Sequence, residues 1–244
     1  MKFKKYIVVG ESRVALKCQK VLENFFNDKV ELIKSIDAKD EILNAFKDCL
    51  IISVHNRYIF KAPCIEKNTI INCHSALLPK HKGMNARIWA IYEGDEKSGI
   101  TWHKVDYGID TGDILVQKEI DIDETTTSLK LLNLQHELAA NSLQECLENY
   151  FKNKTTKQNN KNGGGGYHYK KDLPNGGYLE FSWEFEKISR FLRAMDCGAL
   201  SGIEKPKLSL FGSDLKILFY KIENKTLILK LENNLNLTIQ KDKK

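Results

Sequence analysis

Short apolar runs punctuate the first third of the chain. YIVVG (6–10), VELIKS (30–35), CLIISVH (49–55) and TIINCH (69–74) are rich in β-branched and aliphatic side chains, and runs of that length bounded by polar residues read as strands buried on both faces. After the first of them, Val14, Leu16, Val21, Leu22, Phe25 and Phe26 recur at helical spacing. The alternation predicts βαβ units and therefore a parallel sheet. Past Pro79 the pattern becomes a loop and then a helix through Trp89 and Ile91. TWHKVD (101–106) and ILVQKEID (114–121) predict two more strands, and SLKLLNLQHELAANSLQECLENYF (128–151) a long amphipathic helix. Three threonines and Ser128 mark its start, as capping residues do.

The pattern then breaks. Residues 152–166, KNKTTKQNNKNGGGG, contain no aliphatic side chain, so they cannot build a core and read as a loop. Beyond it come a segment that mixes aromatic and basic residues and a short helical stretch, KISRFLRAM (187–195). KLSLFG, LKILFYKIE, TLILKLENN and LNLTIQ then alternate apolar and polar positions as strands do. The NK pair at 224–225 and the NN pair at 233–234 predict hairpin turns. The expected fold class is α/β: a Rossmann-like, mostly parallel sheet with flanking helices over 1–151, a linker loop over 152–180, and a small β-rich C-terminal appendage of one short helix and hairpins over 181–244.

Composition narrows this reading. A chain of 244 residues, 42% hydrophobic and 29% charged, can bury a sizeable core without staples. Its six cysteines show no CxxC pair and no zinc-type spacing, which speaks against a disulfide framework or structural metal and fits reduced thiols in a cytoplasm. The apolar run near the N-terminus is too short for a signal peptide, and no stretch is long enough to span a membrane. Glycosylation triplets at Asn153, Asn224 and Asn236 carry no weight without export. The net charge of +6 is uneven: the first 150 residues are close to balanced, and the basic excess lies in the C-terminal third, where an anionic ligand is expected.

Two glycine features read as a tight turn and a flexible linker in preference to nucleotide sites. Gly10 is followed by ESRVA without the later glycines of a dinucleotide fingerprint. The glycine run 163–166 lacks the Lys and Ser/Thr of a phosphate loop. INCHSALLPKHKG (71–83) is different. Asn72 and His74 are two apart, hence on one face of a strand, and at the C-terminal end of a parallel sheet that face borders the crevice where ligands sit. Taken alone, the pair can equally hydrogen-bond to a neighbouring loop. An apolar loop broken by Pro79 follows it, and Asp110 stands further on in DYGIDTGDIL, a glycine-punctuated loop between two strands.

NCH, SALLPK and GIDTGDIL, in that order, resemble the folate-dependent formyltransferases over residues 1–150. The fuller HSALLPKHKGMNARIWAI and GITWHKVDYGIDTGDIL are most similar to the sugar N-formyltransferases among them. His81 stands where relatives commonly carry an aromatic residue. The resemblance implies transfer of a formyl group from N10-formyltetrahydrofolate to the 3- or 4-amino group of a nucleotide-linked amino-dideoxyhexose, dTDP-linked in the first instance. The product is a formamido sugar for surface polysaccharide. By the same resemblance Asn72, His74 and Asp110 are catalytic, Arg57, Tyr58 and Ile59 line the pterin cleft, and Asp106, Gly108 and Ile109 close its other side. Arg57 reads equally as a surface charge. The chemistry agrees with the trio: an amide to donate to the oxyanion, an imidazole to move protons near neutral pH, and a carboxylate to orient it. No metal is called for, since His74, His81, His103 and Cys73 have no ligand spacing.

For the acceptor, Lys80, Asn85, His168, Lys170, Trp183, Arg190 and Arg193 are the candidates. Arg190 and Arg193 are three apart on one helical face, suiting a pyrophosphate beside stacked aromatic rings. A solvated basic face with Trp183 in the core is the alternative. YHYKKDLP and WEFEKISRFLRA resemble segments of the nucleotide-sugar enzymes. The C-terminal strands 207–240 are expected to form a homodimer interface. Methionyl-tRNA formylation is the rival within the family, set aside because its larger C-terminal RNA-binding barrel does not fit in the residues left. A non-catalytic nucleotide or nucleic-acid binding module is the rival outside it. Neither nucleic acid nor membrane is an expected partner.

Overall fold

The computed structural model describes residues 3–159, 166–199, 202–223 and 226–240. In chain order it runs β1 (Lys5–Gly10), α1 (Ser12–Phe26), β2 (Val30–Lys34), α2 (Asp40–Leu43), β3 (Cys49–Val54), α3 (Ala62–Lys67) and β4 (Thr69–His74). There follow β5 (Lys82–Gly83), α4 (Ala86–Glu93), β6 (Lys97–Lys104), β7 (Ile114–Asp121), α5 (Ser128–Phe151) and β8 (Tyr167–His168). The last elements are α6 (Phe185–Met195), β9 (Lys207–Leu210), β10 (Ser213–Glu223), β11 (Thr226–Leu231) and β12 (Asn236–Gln240). The chain groups into two compact units interleaved in sequence. One comprises Met1–Met84, Ser98–Ile120 and Asn133–His168, the other Asn85–Lys97, Asp121–Leu132 and Tyr169–Lys244.

The first unit is built on a six-stranded sheet in the order β2-β1-β3-β4-β6-β7. The first four strands are mutually parallel, and β6 joins β4 antiparallel. Alternate residues of β1 and β3 feed opposite faces: Val8, Leu50 and Ile52 pack with α1 and α5, whereas Ile7, Val9 and Ile51 pack with Leu43, Phe60 and Cys64. That double burial is why these strands show continuous apolar runs and not alternation. A β-carbon on Gly10 would lie 2.2 Å from the Val54 carbonyl oxygen, so this glycine serves a close approach of β1 to β3.

The start of β6 departs from the expected pattern. β6 begins at Lys97 and not at Thr101, because Gly99 lies where a β-carbon would meet the Lys118 carbonyl at 2.0 Å. A glycine needed for close backbone approach masks the strand in sequence. The helix 128–151 is as expected, and Thr127 caps it, its Oγ1 accepting from the Lys130 N–H at 3.3 Å. In the segment after α5, Thr156 bridges Ile114 and Gln158 reaches the 110–112 loop, so those residues are tied to the first unit.

In the second unit α4 packs on α6, and β12-β11-β10-β9 form an antiparallel sheet. Leu227, Leu229 and Leu231 of β11 are buried while Lys230 is exposed, the one-sided alternation such sheets show. Phe211 and Gly212, both at positive φ, turn β9 into β10. The expected turn at 233–234 lies in a short 3₁₀ segment, Glu232–Asn234. The turn at 224–225 lies outside the described residues. Among the described residues no helix is long and apolar enough to cross a membrane.

Candidate active site

Period-two geometry sends Cys73 of β4 into the core and leaves Asn72 and His74 on the other face. Strand register then supplies neighbours. Ser53 of β3 and His103 of β6 both lie opposite Asn72, giving a polar row across three strands. The Ser53 hydroxyl donates to Asn72 Oδ1 at 2.7 Å, and Asn72 Nδ2 lies 3.1 Å from His103 Nε2. Ser53 is 1% exposed.

Asp110 enters from the loop between β6 and β7, at φ +54. Its Oδ2 is 3.4 Å from His74 Nδ1 and accepts the Gly83 N–H at 2.9 Å, and its Oδ1 is 3.4 Å from His103 Nε2. Burial by itself would push this carboxyl up. The facing His74 ring and the Gly83 N–H favour the ionised form, and the carboxyl lies well below the usual carboxylate range. His74 Nε2 lies 2.8 Å from the His81 carbonyl, to which it donates. Gly83 (φ +85) pairs with His168 so closely that a β-carbon would meet the His168 carbonyl at 2.4 Å. The His81 and His168 rings stack at 5.6 Å with Nδ1 and Nε2 3.3 Å apart.

The other expected residues separate by role. Arg57 and Ile59 are exposed beyond β3, and the Tyr58 hydroxyl donates to Asp40 at 2.7 Å. Asp106 Oδ1 accepts from Thr111 Oγ1 at 2.6 Å and from the Gly108 N–H at 3.1 Å, so the Asp106, Gly108 and Ile109 stretch is a self-bonded turn ahead of Asp110. Lys80 and Lys170 are exposed. Asn85 caps α4 in the left-handed region, its Nδ2 3.5 Å from the Lys170 carbonyl. His168 belongs to the first unit, while Lys170, Trp183, Arg190 and Arg193 belong to the second.

The paired arginine fork does not form. Arg193 is 9% exposed and its Nη1 donates to the carbonyls of Asp123 (3.1 Å) and Thr126 (2.9 Å), so its donors hold a loop of its own unit. Arg190 pairs with Glu186 at 2.8 Å. Trp183 packs edge-on against Phe191 with Lys187 4.4 Å from its ring, a core-side place. Helical spacing shows which residues share a face but not which carbonyls wait beside it.

His103, Ser53 and Gly83 were not named as site residues from sequence. Their signal is strand register, which pairs positions far apart in the chain and cannot be read from period alone.

Residues 37–147 match the family model described as formyl transferase. The matched stretch is a little under half of the chain. Asn72, His74, His103 and Asp110 all lie inside it. A GDP-perosamine N-formyltransferase of Brucella melitensis is 32% identical over 152 residues, 62% of this chain and 58% of that protein. A methionyl-tRNA formyltransferase of Clostridium novyi is 36% identical over 103 residues, 42% of this chain and 33% of the relative. The chain thus spans less than two thirds of the length of the curated relatives it matches. An N-formyltransferase from Helicobacter canadensis, solved with folinic acid and dTDP-3-aminofucose, shares the fold at a TM-score of 0.71 and 19% identity, covering 97% of this chain and 98% of its own.

Proposed function

We propose that this chain transfers a formyl group from N10-formyltetrahydrofolate to the 3- or 4-amino group of a nucleotide-linked amino sugar. The observation that carries the reading is the convergence of Asn72, His74 and Asp110 at the end of β4, with Asp110 3.4 Å from His74. The sugar substrate is supported by the Brucella relative, 32% identical over 152 residues, and by the fold shared along nearly the whole chain with the Helicobacter enzyme.

In this reading the acceptor nitrogen attacks the formyl carbon and the carbonyl electrons move to oxygen. The Asn72 N–H stabilises that oxyanion, a donor whose loss typically lowers kcat by roughly 10²–10³. Collapse breaks the bond to N10 of the folate. The proton lost by the attacking amine passes to Asp110, ionised as its depressed pKa requires, and through His74 to the departing nitrogen, so charge and atoms balance. Arg57, Tyr58 and Ile59 beyond β3, with the Asp106–Ile109 turn, are the proposed walls of the folate cleft. Lys80, Asn85, His168 and Lys170 remain proposed acceptor contacts, and a homodimer through the C-terminal strands remains a proposal for scattering to test. The protein is read as acting in the cytoplasm, without metal.

Incubation with the formyl donor and a panel of dTDP- and GDP-linked amino sugars tests this directly. The expected result is an acceptor that gains the mass of one formyl group, with His74→Ala abolishing the gain. Salt-sensitive RNA binding that survives His74→Ala, with no acceptor on the panel formylated, would instead favour a nucleic-acid module.

A further inference from the structure

Asn72 has to present its N–H₂, and not its oxygen, to a developing oxyanion, yet an amide side chain fits a pocket almost equally well in either orientation. The residues behind it remove that ambiguity. The Tyr58 backbone N–H, which can only donate, points at Asn56 Oδ1 at 3.0 Å. Ser35, fixed from its other side by the Arg57 N–H at 2.9 Å, donates to the same oxygen at 2.7 Å. Asn56 Nδ2 must therefore be the end that turns inward, where it lies 3.2 Å from Ser53 Oγ and from the Tyr58 carbonyl. With its oxygen accepting from Asn56, the Ser53 hydroxyl sends its own proton to Asn72 at 2.7 Å, and the atom receiving it must be Oδ1. Every direction in the chain follows from two main-chain N–H groups.

We infer that Ser53, polarised through Asn56 and Ser35 by the backbone of residues 57–58, is a positioning residue that locks the Asn72 amide with its N–H₂ toward His103 and the crevice. The inference rests on the formyl-transfer reading for what that N–H₂ then does. It also decides the state of His103, whose Nε2 lies between Asn72 Nδ2 (3.1 Å) and Asp110 Oδ1 (3.4 Å). With the amide locked, Nε2 accepts from Asn72 and the ring proton sits on Nδ1, which donates to the Lys104 carbonyl at 2.9 Å. One Asn72 N–H is held by His103 and the other remains for the substrate oxygen.

Ser53→Ala removes the donor. Asn56→Asp keeps the shape and the acceptor for Tyr58 while turning the donor that faces Ser53 into an acceptor, so the serine proton is drawn away from Asn72. In ¹⁵N–¹H spectra the side-chain amide pair that vanishes in Asn72→Ala identifies the group. Expected is a wild-type pair that exchanges slowly with water, and in both relay variants a shifted pair whose exchange is about ten-fold faster. For formyl transfer, Ser53→Ala is expected to lower kcat about ten-fold with KM for the donor within about two-fold. On an Asn72→Ala background the same change should cost less than about two-fold. An amide pair unmoved in both relay variants overturns the inference, as does a Ser53→Ala cost undiminished when Asn72 is already gone. An amide pair that moves as expected in a protein where neither variant slows formyl transfer keeps the relay and refutes the reaction assigned to it.

Discussion

Asn72 with its neighbours in the first unit, and Arg193 in the second, both take polar side chains out of water, but they differ in how completely their partners consume them. Both nitrogens of His103 and the oxygen of Asn72 are engaged, while one amide N–H of Asn72 is left for a ligand. The guanidinium of Arg193 donates Nη1 to two main-chain carbonyls and Nε to Ser189 at 3.4 Å. A site needs donors held in place but not used up, and a structural tie uses them. Residue type does not distinguish the two cases; the neighbouring backbone does.

The comparison can be broken where the effects are largest. Asp110→Ala should lower kcat/KM by roughly 10²–10⁴ in a formyl-transfer assay, and a loss under about ten-fold would dissolve the first cluster as a catalytic one. Arg193→Ala should leave the acceptor KM within about two-fold and instead destabilise the fold by about 2–3 kcal/mol, read from the urea midpoint. An acceptor KM raised ten-fold would return Arg193 to the site.

Acidification sharpens the contrast. The Asp110 carboxyl titrates lower in the folded chain than in the unfolded one, so its contribution to stability is present above about pH 4 and is lost as pH falls toward the folded value. Wild type and Asp110→Asn should therefore converge in denaturation midpoint below that pH, and a constant gap would remove the ion-pair account. The smallest effect is expected at Glu186, exposed and paired with Arg190 across one helical turn. Glu186→Ala should cost only about 0.3–0.5 kcal/mol.

Much of the first unit is legible in the sequence. β1, β3 and β4 are marked by runs too apolar to face water on either side, and Asn72 and His74 stand out as the polar exceptions at the end of such a run. Gly99 hid the start of β6, because a residue without a side chain carries no pattern. In the second unit the helix containing Arg190 and Arg193 was recognisable by its spacing, but the partners of those arginines were not, since Asp123 and Thr126 are distant in sequence and act through their carbonyls, which every residue has.

By itself the sequence determined the strand periods, the long helix and the pairing of an amide with an imidazole on one face, because period and residue chemistry are local properties of a chain. Only tertiary structure decided that Ser53 and His103 flank Asn72, that Asp110 turns its carboxylate to His74, and that Arg193 is occupied. Register and loop closure bring together groups whose sequence separation carries no signal, and a hydrogen bond exists only once both partners have been placed within about 3 Å of each other.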